Sequence, residues 1–432
     1  MKLLIILILF SAPVTGSTPP DSLTLQECYE EVMKNYPLAK QKDHYTSIGD
    51  LKKTSLSRGW YPTLDLSGQA TYQSDVTSID FSMPDIEVIP GQTISIPEPD
   101  IPEPPYDQYK ASCNIKQMIY DGGIIKNQKQ LEDAGTMAEI QRVEVELYKL
   151  KEQVNTVFFS IILLQEKEKL VMLILNELRD KQKVVGSGVR NGILTPNDLD
   201  NLNSEILKLE QQIIEINLGK KTAFRILEEL LGTEIQSNTI LKAPDANIDA
   251  GSDIDRPEYK LFELQNSRID ASEKLISSKQ MPVIAGFGQL GYGRPGLNMM
   301  SDEFDSYYIV GASLQWNIWN SNRNRLDRQA LLIQKNIIST QKETFDKGID
   351  IALQKEYANI EKYEQLIEKD KEIINLKNRI TERAESQLEN GIITGHEYTN
   401  MLNDKLEADI NYETHKILLL QSKINYLTIK GY

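Results

Sequence analysis

The stretch Ser187-Gly188-Val189-Arg190-Asn191-Gly192-Ile193-Leu194-Thr195-Pro196-Asn197-Asp198 returns in outline 199 positions later. There it reads Ser386-Gln387-Leu388-Glu389-Asn390-Gly391-Ile392-Ile393-Thr394-Gly395-His396-Glu397. Both copies read Asn-Gly-Ile, an aliphatic residue, then Thr with an acid three places on. Gly192 and Gly391 supply the residue that takes a left-handed backbone and so ends a helix. Thr195 and Thr394 fit the N-cap of the next helix, with Asp198 and Glu397 at the reciprocal capping position and Pro196 in the first turn. Each stretch is therefore the turn of a helical hairpin, and the hairpin occurs twice.

The duplication reaches beyond the turns. At the same offset Tyr120-Asp121-Gly122 matches Trp319-Asn320-Ser321, and at an offset of 220 Tyr36-Pro37 and Tyr61-Pro62 match Arg256-Pro257 and Met281-Pro282. Two copies of one unit fill the chain, expected over about 17–240 and 257–432 with a linker at about 241–256. Val143, Leu147, Leu150, Val154, Val157, Ile161 and Leu164, then Val171, Leu175 and Leu178, step by fours and threes, interrupted only by Glu168. Leu199, Leu202, Ile206, Leu209, Ile213 and Ile216 repeat the pattern, and Leu353, Ile360, Ile367 and Ile374 recur every seventh place. Sustained sevens mean coiled-coil packing. Long helices are predicted over about 124–186 and 196–231, and again over about 323–389 and 395–429. A helix from about 124 to 185 runs roughly 90 Å, more than a compact domain needs.

Before each long helix the period changes from 3.5 to two. Leu64, Leu66, Gly68, Ala70 and Tyr72 alternate with Asp65, Ser67, Gln69 and Thr71, and Ala111, Cys113 and Ile115 alternate with Ser112, Asn114 and Lys116. In the second copy Val310, Ala312, Leu314, Trp316 and Ile318 alternate with Gly311, Ser313, Gln315 and Asn317. Strands are predicted over about 62–73, 109–120, 282–292 and 307–319, each with one apolar and one polar face. The loop between the first two carries seven prolines from Pro84 to Pro105 and no Lys or Arg between Arg58 and Lys110, which suits an extended, solvated, acidic segment. Trp60, Tyr61, Tyr120, Trp316 and Trp319 stand at strand ends. That is the aromatic girdle of an outer-membrane barrel, although an ordinary half-buried sheet also carries edge aromatics.

Composition narrows the function. A net charge of −15 makes nucleic acid an improbable partner. Met1-Lys2, the apolar run Leu3–Phe10 and the small residue Gly16 read as a signal peptide over 1–16. Cys28 and Cys113 lie in segments of different type and are expected to be two separate buried thiols rather than a disulfide. His44, His396 and His415 have no metal-ligand spacing, and Gly286-Phe287-Gly288-Gln289-Leu290-Gly291 is followed by strand rather than helix, so it is no dinucleotide fingerprint. No cofactor, no metal and no enzymatic activity are expected.

Four strands per chain fall short of the roughly eight that the smallest membrane barrel needs, and lipid tolerates no open sheet edge. The strands must therefore close with those of other copies. With its duplicated helix-strand-strand-helix hairpin plan and the tips Asn191-Gly192-Ile193-Leu194-Thr195 and Asn390-Gly391-Ile392-Ile393-Thr394, the chain resembles the TolC-like outer-membrane efflux proteins. The fold expected is mainly α with a membrane β-barrel part closed by trimerisation. The resemblance implies a homotrimer in the outer membrane, in contact with its lipid and reaching into the periplasm. It also implies a periplasmic adaptor protein and an inner-membrane pump of resistance-nodulation-division or ABC type, for efflux or type I secretion. Gly192, Ile193, Leu194, Gly391, Ile392 and Ile393 are then expected as exposed knuckles that meet the adaptor. Glu397 and Asp198 are candidates for an acidic periplasmic gate, with Asn400, Asp404 and Asp200 as alternatives, while helix capping alone already accounts for both acids. The competing reading is an exported coiled-coil protein that bridges the envelope without conducting.

Overall fold

The computed structural model describes residues 22–79, 85–94, 103–192, 194–236, 239–245 and 253–432. The signal peptide expected at 1–16, Ile193, and parts of the acidic loop and the linker lie outside the described residues. The element order is β1 (Ser22–Thr24), α1 (Leu25–Asn35), α2 (Gln41–Ser57), β2 (Thr63–Tyr72), β3 (Ile86–Ile89), β4 (Gln92–Ile94), β5 (Asp107–Tyr120), α3 (Ile124–Arg190) and α4 (Pro196–Leu231). It continues with β6 (Ile240–Lys242), α5 (Pro257–Ser278), β7 (Val283–Arg294), β8 (Asp305–Gln315), α6 (Arg323–Glu389) and α7 (Gly395–Lys430). Helices α3 and α6 have 67 residues each, and α4 and α7 have 36 each. Helix α3 runs on to Arg190, four residues past the expected end, because nothing before Gly192, at φ +72°, forces the backbone out of helix.

The chain forms two compact units, and each takes segments from both copies. The helical unit holds the described residues of Met1–Asp43 with Ile140–Phe262 and Thr340–Tyr432. Its core follows the apolar steps of the sequence, with Val143, Leu147, Leu150, Val154, Phe158 and Ile161 buried along α3. A parallel pair, β1 with β6, ties Leu23 to Leu241. Nearby, Arg256 and Glu258 form a buried ion pair at 2.7 Å, and the guanidinium lies over the Tyr148 ring at 4.6 Å. The Tyr148 hydroxyl donates to the Thr428 carbonyl at 2.7 Å, so the charged pair rests among satisfied hydrogen bonds.

The strand unit comprises His44–Glu139 and Glu263–Ser339. Its sheet is antiparallel in the order β2-β5-β7-β8, so the two copies join at the β5–β7 ladder. Strand β8 ends at Gln315, short of the expected 319, because Gln315 pairs with Val283, the first residue of β7, and the preceding Pro282 has no N–H to extend the ladder. Trp316 leaves the sheet and donates its indole N–H to the Gln280 carbonyl at 3.0 Å. The acidic loop also differs from expectation. It carries a short hairpin, β3 with β4, turned by Gly91 at φ +93° and pairing Ile86 with Ile94. Cys28 is buried as expected, whereas Cys113, in the middle of a two-faced strand, is half-buried; both are free.

Candidate functional site

The sheet's register sorts its side chains onto two faces. Leu66, Cys113, Leu290 and Tyr308 stand in one cross-strand row, and Ser67, Ser112, Gly291 and Tyr307 in the next. Because successive side chains alternate, the first row shares its face with Leu64, Ile115, Val310 and Leu314, and the second with Asp65, Gln69, Asn114 and Lys116. The apolar face is open: Leu66 is 82% exposed and Val310 78%. The polar face carries its own hydrogen bonds, Ser67 Oγ to Ser112 Oγ at 2.8 Å and Asn114 Nδ2 to both hydroxyls at 3.3 Å. Edge strands β2 and β8 have no further partner among the described residues.

Aromatic side chains mark both ends of this sheet. Tyr61 precedes β2, Tyr120 ends β5, and Trp316 and Trp319 follow β8, with Trp60 one residue further out; the antiparallel register puts all five at one end. All are exposed, Trp319 by 83%. At the opposite end Tyr72 stacks with Tyr106 at 6.4 Å, and Tyr109 and Tyr292 stack on Phe304 at 6.2 and 5.6 Å. One face of the sheet is thus an apolar band between two aromatic rows.

In the helical unit the hairpin tips of both copies share one core. Val171, Ile174, Leu175 and Leu178 of α3, Leu202, Ile206 and Leu209 of α4, Ala384 of α6 and Tyr398, Leu402 and Leu406 of α7 form a single buried cluster. Each tip closes as the local chemistry dictates. Gly192 and Gly391 sit at φ +72° and +69° with nothing near them. Thr195 and Asp198, and Thr394 and Glu397, form reciprocal capping boxes. The knuckle is narrower than expected. Ile392 is 69% exposed, but Leu194 and Ile393 are half-buried and pack against the shared core. The reason is close packing beneath the turn, where Leu194 lies so near Gly188 that a Cβ there would stand 2.8 Å from it.

The gate candidates divide. Glu397 is exposed, and the Thr394 backbone N–H, then the Thr394 hydroxyl, hold its carboxyl below the usual carboxylate range. Asp198 accepts the equivalent bonds from Thr195 at 3.0 and 2.7 Å. Asn400 bonds back to His396 at 3.2 Å, Asp404 is engaged by Lys377 at 2.6 Å, and Asp200 is exposed on α4.

Near the tips, three of the polar ties between the copies were not foreseen from sequence. The Tyr398 hydroxyl donates to Glu177 at 2.8 Å, Lys181 pairs with Glu385 at 2.6 Å, and Asn403 donates to Glu205 at 3.0 Å. Burial works against the Glu205 charge, but bonds from Lys208 and Asn403 outweigh it and hold the carboxyl low. One signal did exist: Tyr398 stands 199 positions after Leu199, a hydroxyl-bearing ring in an otherwise apolar place.

Residues 55–233 match the outer membrane efflux protein family. No curated protein sequence matches the chain. Among solved structures, the outer membrane protein VceC of Vibrio cholerae superposes with a TM-score of 0.62 at 10% identity, over 94% of this chain and 96% of that one. The CmeC outer membrane channel of Campylobacter jejuni gives 0.63 at 12%, over 98% and 90%. The open state of the MtrE outer membrane channel of Neisseria gonorrhoeae gives 0.61 at 11%, over 94% and 89%. At these identities the likeness is one of fold. No described helix is long and apolar enough to cross a membrane.

Proposed function

We infer that this chain, matched to the outer membrane efflux protein family over residues 55–233 and folded like outer-membrane channels, is itself the subunit of an outer-membrane efflux channel. The observation that carries the reading is the two-faced sheet with open edges. A wall of Leu64, Leu66, Leu290, Val310 and Leu314 exposed to water is an aggregation hazard, and facing lipid it is stabilising. The opposite face, with Asp65, Lys110, Asn114 and Lys116, suits an aqueous lumen. Edges β2 and β8 satisfy their backbone groups only against other copies, and the family resemblance makes that assembly a homotrimer.

Within that trimer the helical hairpins form the periplasmic part, and their tips meet a periplasmic adaptor that couples the channel to an inner-membrane pump of resistance-nodulation-division or ABC type. Ile392 is the apolar contact point, and Glu397 becomes a ring of three carboxylates at the mouth. Conductance of the purified protein in planar bilayers is the decisive test. A folded, inserted oligomer without conductance would return the chain to the class of non-conducting envelope-bridging proteins. For the adaptor, Ile392→Asp should leave folding intact and abolish efflux, and full efflux in that variant removes the docking assignment.

A further inference from the structure

Two glycines on the polar face of the sheet each stand directly opposite an aromatic residue. Gly291 of β7 pairs with Tyr307 of β8, and Gly311 of β8 pairs with Phe287 of β7. Neither glycine has a positive φ, so the backbone does not require glycine at either place. The rings do. A Cβ on Gly291 would lie 2.1 Å from Tyr307 Cζ and 2.4 Å from its hydroxyl oxygen, and a Cβ on Gly311 would lie 2.8 Å from Phe287 Cζ. Gly288, on the opposite face of the same strand, has nothing within 4 Å, so crowding is not general to β7.

A strand side chain ordinarily stands roughly perpendicular to its sheet. Tyr307 instead lies down across Gly291 and is only 9% exposed, on a sheet whose residues are mostly open. Lys110, two strands away, sits over the ring at 5.4 Å from its centroid and holds it there by a cation–π contact. The Tyr307 hydroxyl has no hydrogen-bond partner among the described residues. The ring is thus fastened flat to the wall, with its hydroxyl buried rather than presented to the lumen.

We propose that the Gly291–Tyr307 and Gly311–Phe287 pairs set the calibre of the barrel lumen, by keeping bulky rings down on the wall. The proposal rests on the channel reading, with the polar face turned to the lumen. A methyl group on Gly291 makes the flat ring untenable. Ordinary contact begins near 3.4 Å, so the ring must leave its 2.1 Å position and rise from the sheet. In a homotrimer the substitution raises three rings at one level of the barrel. Gly291 is accordingly a size-selecting residue that touches no solute itself, and Tyr307 is the group it holds back.

The test uses the full-length protein in planar bilayers, with neutral polyethylene glycols of graded size added from the barrel side so that the barrel rather than the hairpin tips is read. Gly291→Ala should move the size cut-off to smaller polymers and lower conductance roughly two-fold, since lumen width is fixed by strand number and lost only to side chains. Tyr307→Ala should change the cut-off little, and the double variant should return to the wild-type value. An unchanged cut-off in Gly291→Ala overturns the proposal, as does a marked widening in Tyr307→Ala, which would place the ring in the lumen already. If Gly291→Ala does not assemble, Gly311→Ala with and without Phe287→Ala gives the same comparison. A wild-type protein that never conducts defeats the channel reading instead.

Discussion

Tyr398→Phe isolates the tie between the two copies at the hairpin tips. The ring stays, so the apolar burial of a residue only 2% exposed is retained and no cavity forms. What is lost is one hydrogen bond of 2.8 Å to the Glu177 carboxylate. A bond to an ionised partner contributes about 1.5–3 kcal/mol when well buried. Glu177 is half-exposed, so water re-solvates its freed oxygen and the loss falls to or just below that lower limit, about 1–1.5 kcal/mol. Local opening of the tip should become roughly 5- to 13-fold more frequent, since about 1.4 kcal/mol is a factor of ten. Native-state hydrogen exchange of amides in α7 from Tyr398 to Leu406 reads that opening directly. A double-mutant cycle with Glu177→Gln assigns it to the pair. Coupling below about 0.3 kcal/mol in the cycle would show the contact to be decorative and the shared apolar core to hold the tips alone. Tyr398→Ala is the contrast, because it removes the ring as well and should cost about 3–5 kcal/mol.

Ser321, at φ 53°, occupies the left-handed position that Gly122 fills 199 residues earlier, so Ser321→Gly should stabilise the protein by about 0.5–1 kcal/mol after the loss to unfolded-state entropy; an unchanged or lower thermal midpoint counts against strain there. Asp409 is pushed above the ordinary carboxylate range by burial, which outweighs the opposing charge of Lys405 and is reinforced by Glu413. Its folded form disfavours charge, a penalty present above its raised pKa and relieved as pH falls through it, so Asp409→Asn should raise the denaturation midpoint at pH 7 and do little well below that pKa. Glu205 has the opposite sign: its lowered pKa contributes stability at neutral pH that is lost as pH falls through the depressed value, and Glu205→Gln should flatten the acid limb of the stability profile. Glu397→Gln retains a capping partner for Thr394, so stability should hold within about 0.5 kcal/mol while single-channel cation preference falls; an unchanged preference makes Glu397 a helix cap only.

Much of this protein is local chemistry and could be read along the chain. Gly192 and Gly391 take the left-handed backbone, Thr195 and Thr394 cap with Asp198 and Glu397, and the long helices begin and end within a few residues of where the heptads do. Each of these depends on neighbours within one or two helical turns. The alternation of β2, β5 and β8 likewise declares one polar and one apolar face for each strand. Period, however, carries no information about which segment lies opposite which. That β5 pairs with β7 and so joins the two copies, that Tyr398 reaches Glu177, and that Leu194 and Ile393 turn inward were decided by packing between segments far apart in sequence. The same holds for Gly291 and Tyr307. A glycine and a tyrosine in separate strands have no meaning until register sets them face to face, because a missing Cβ matters only when another side chain needs the space.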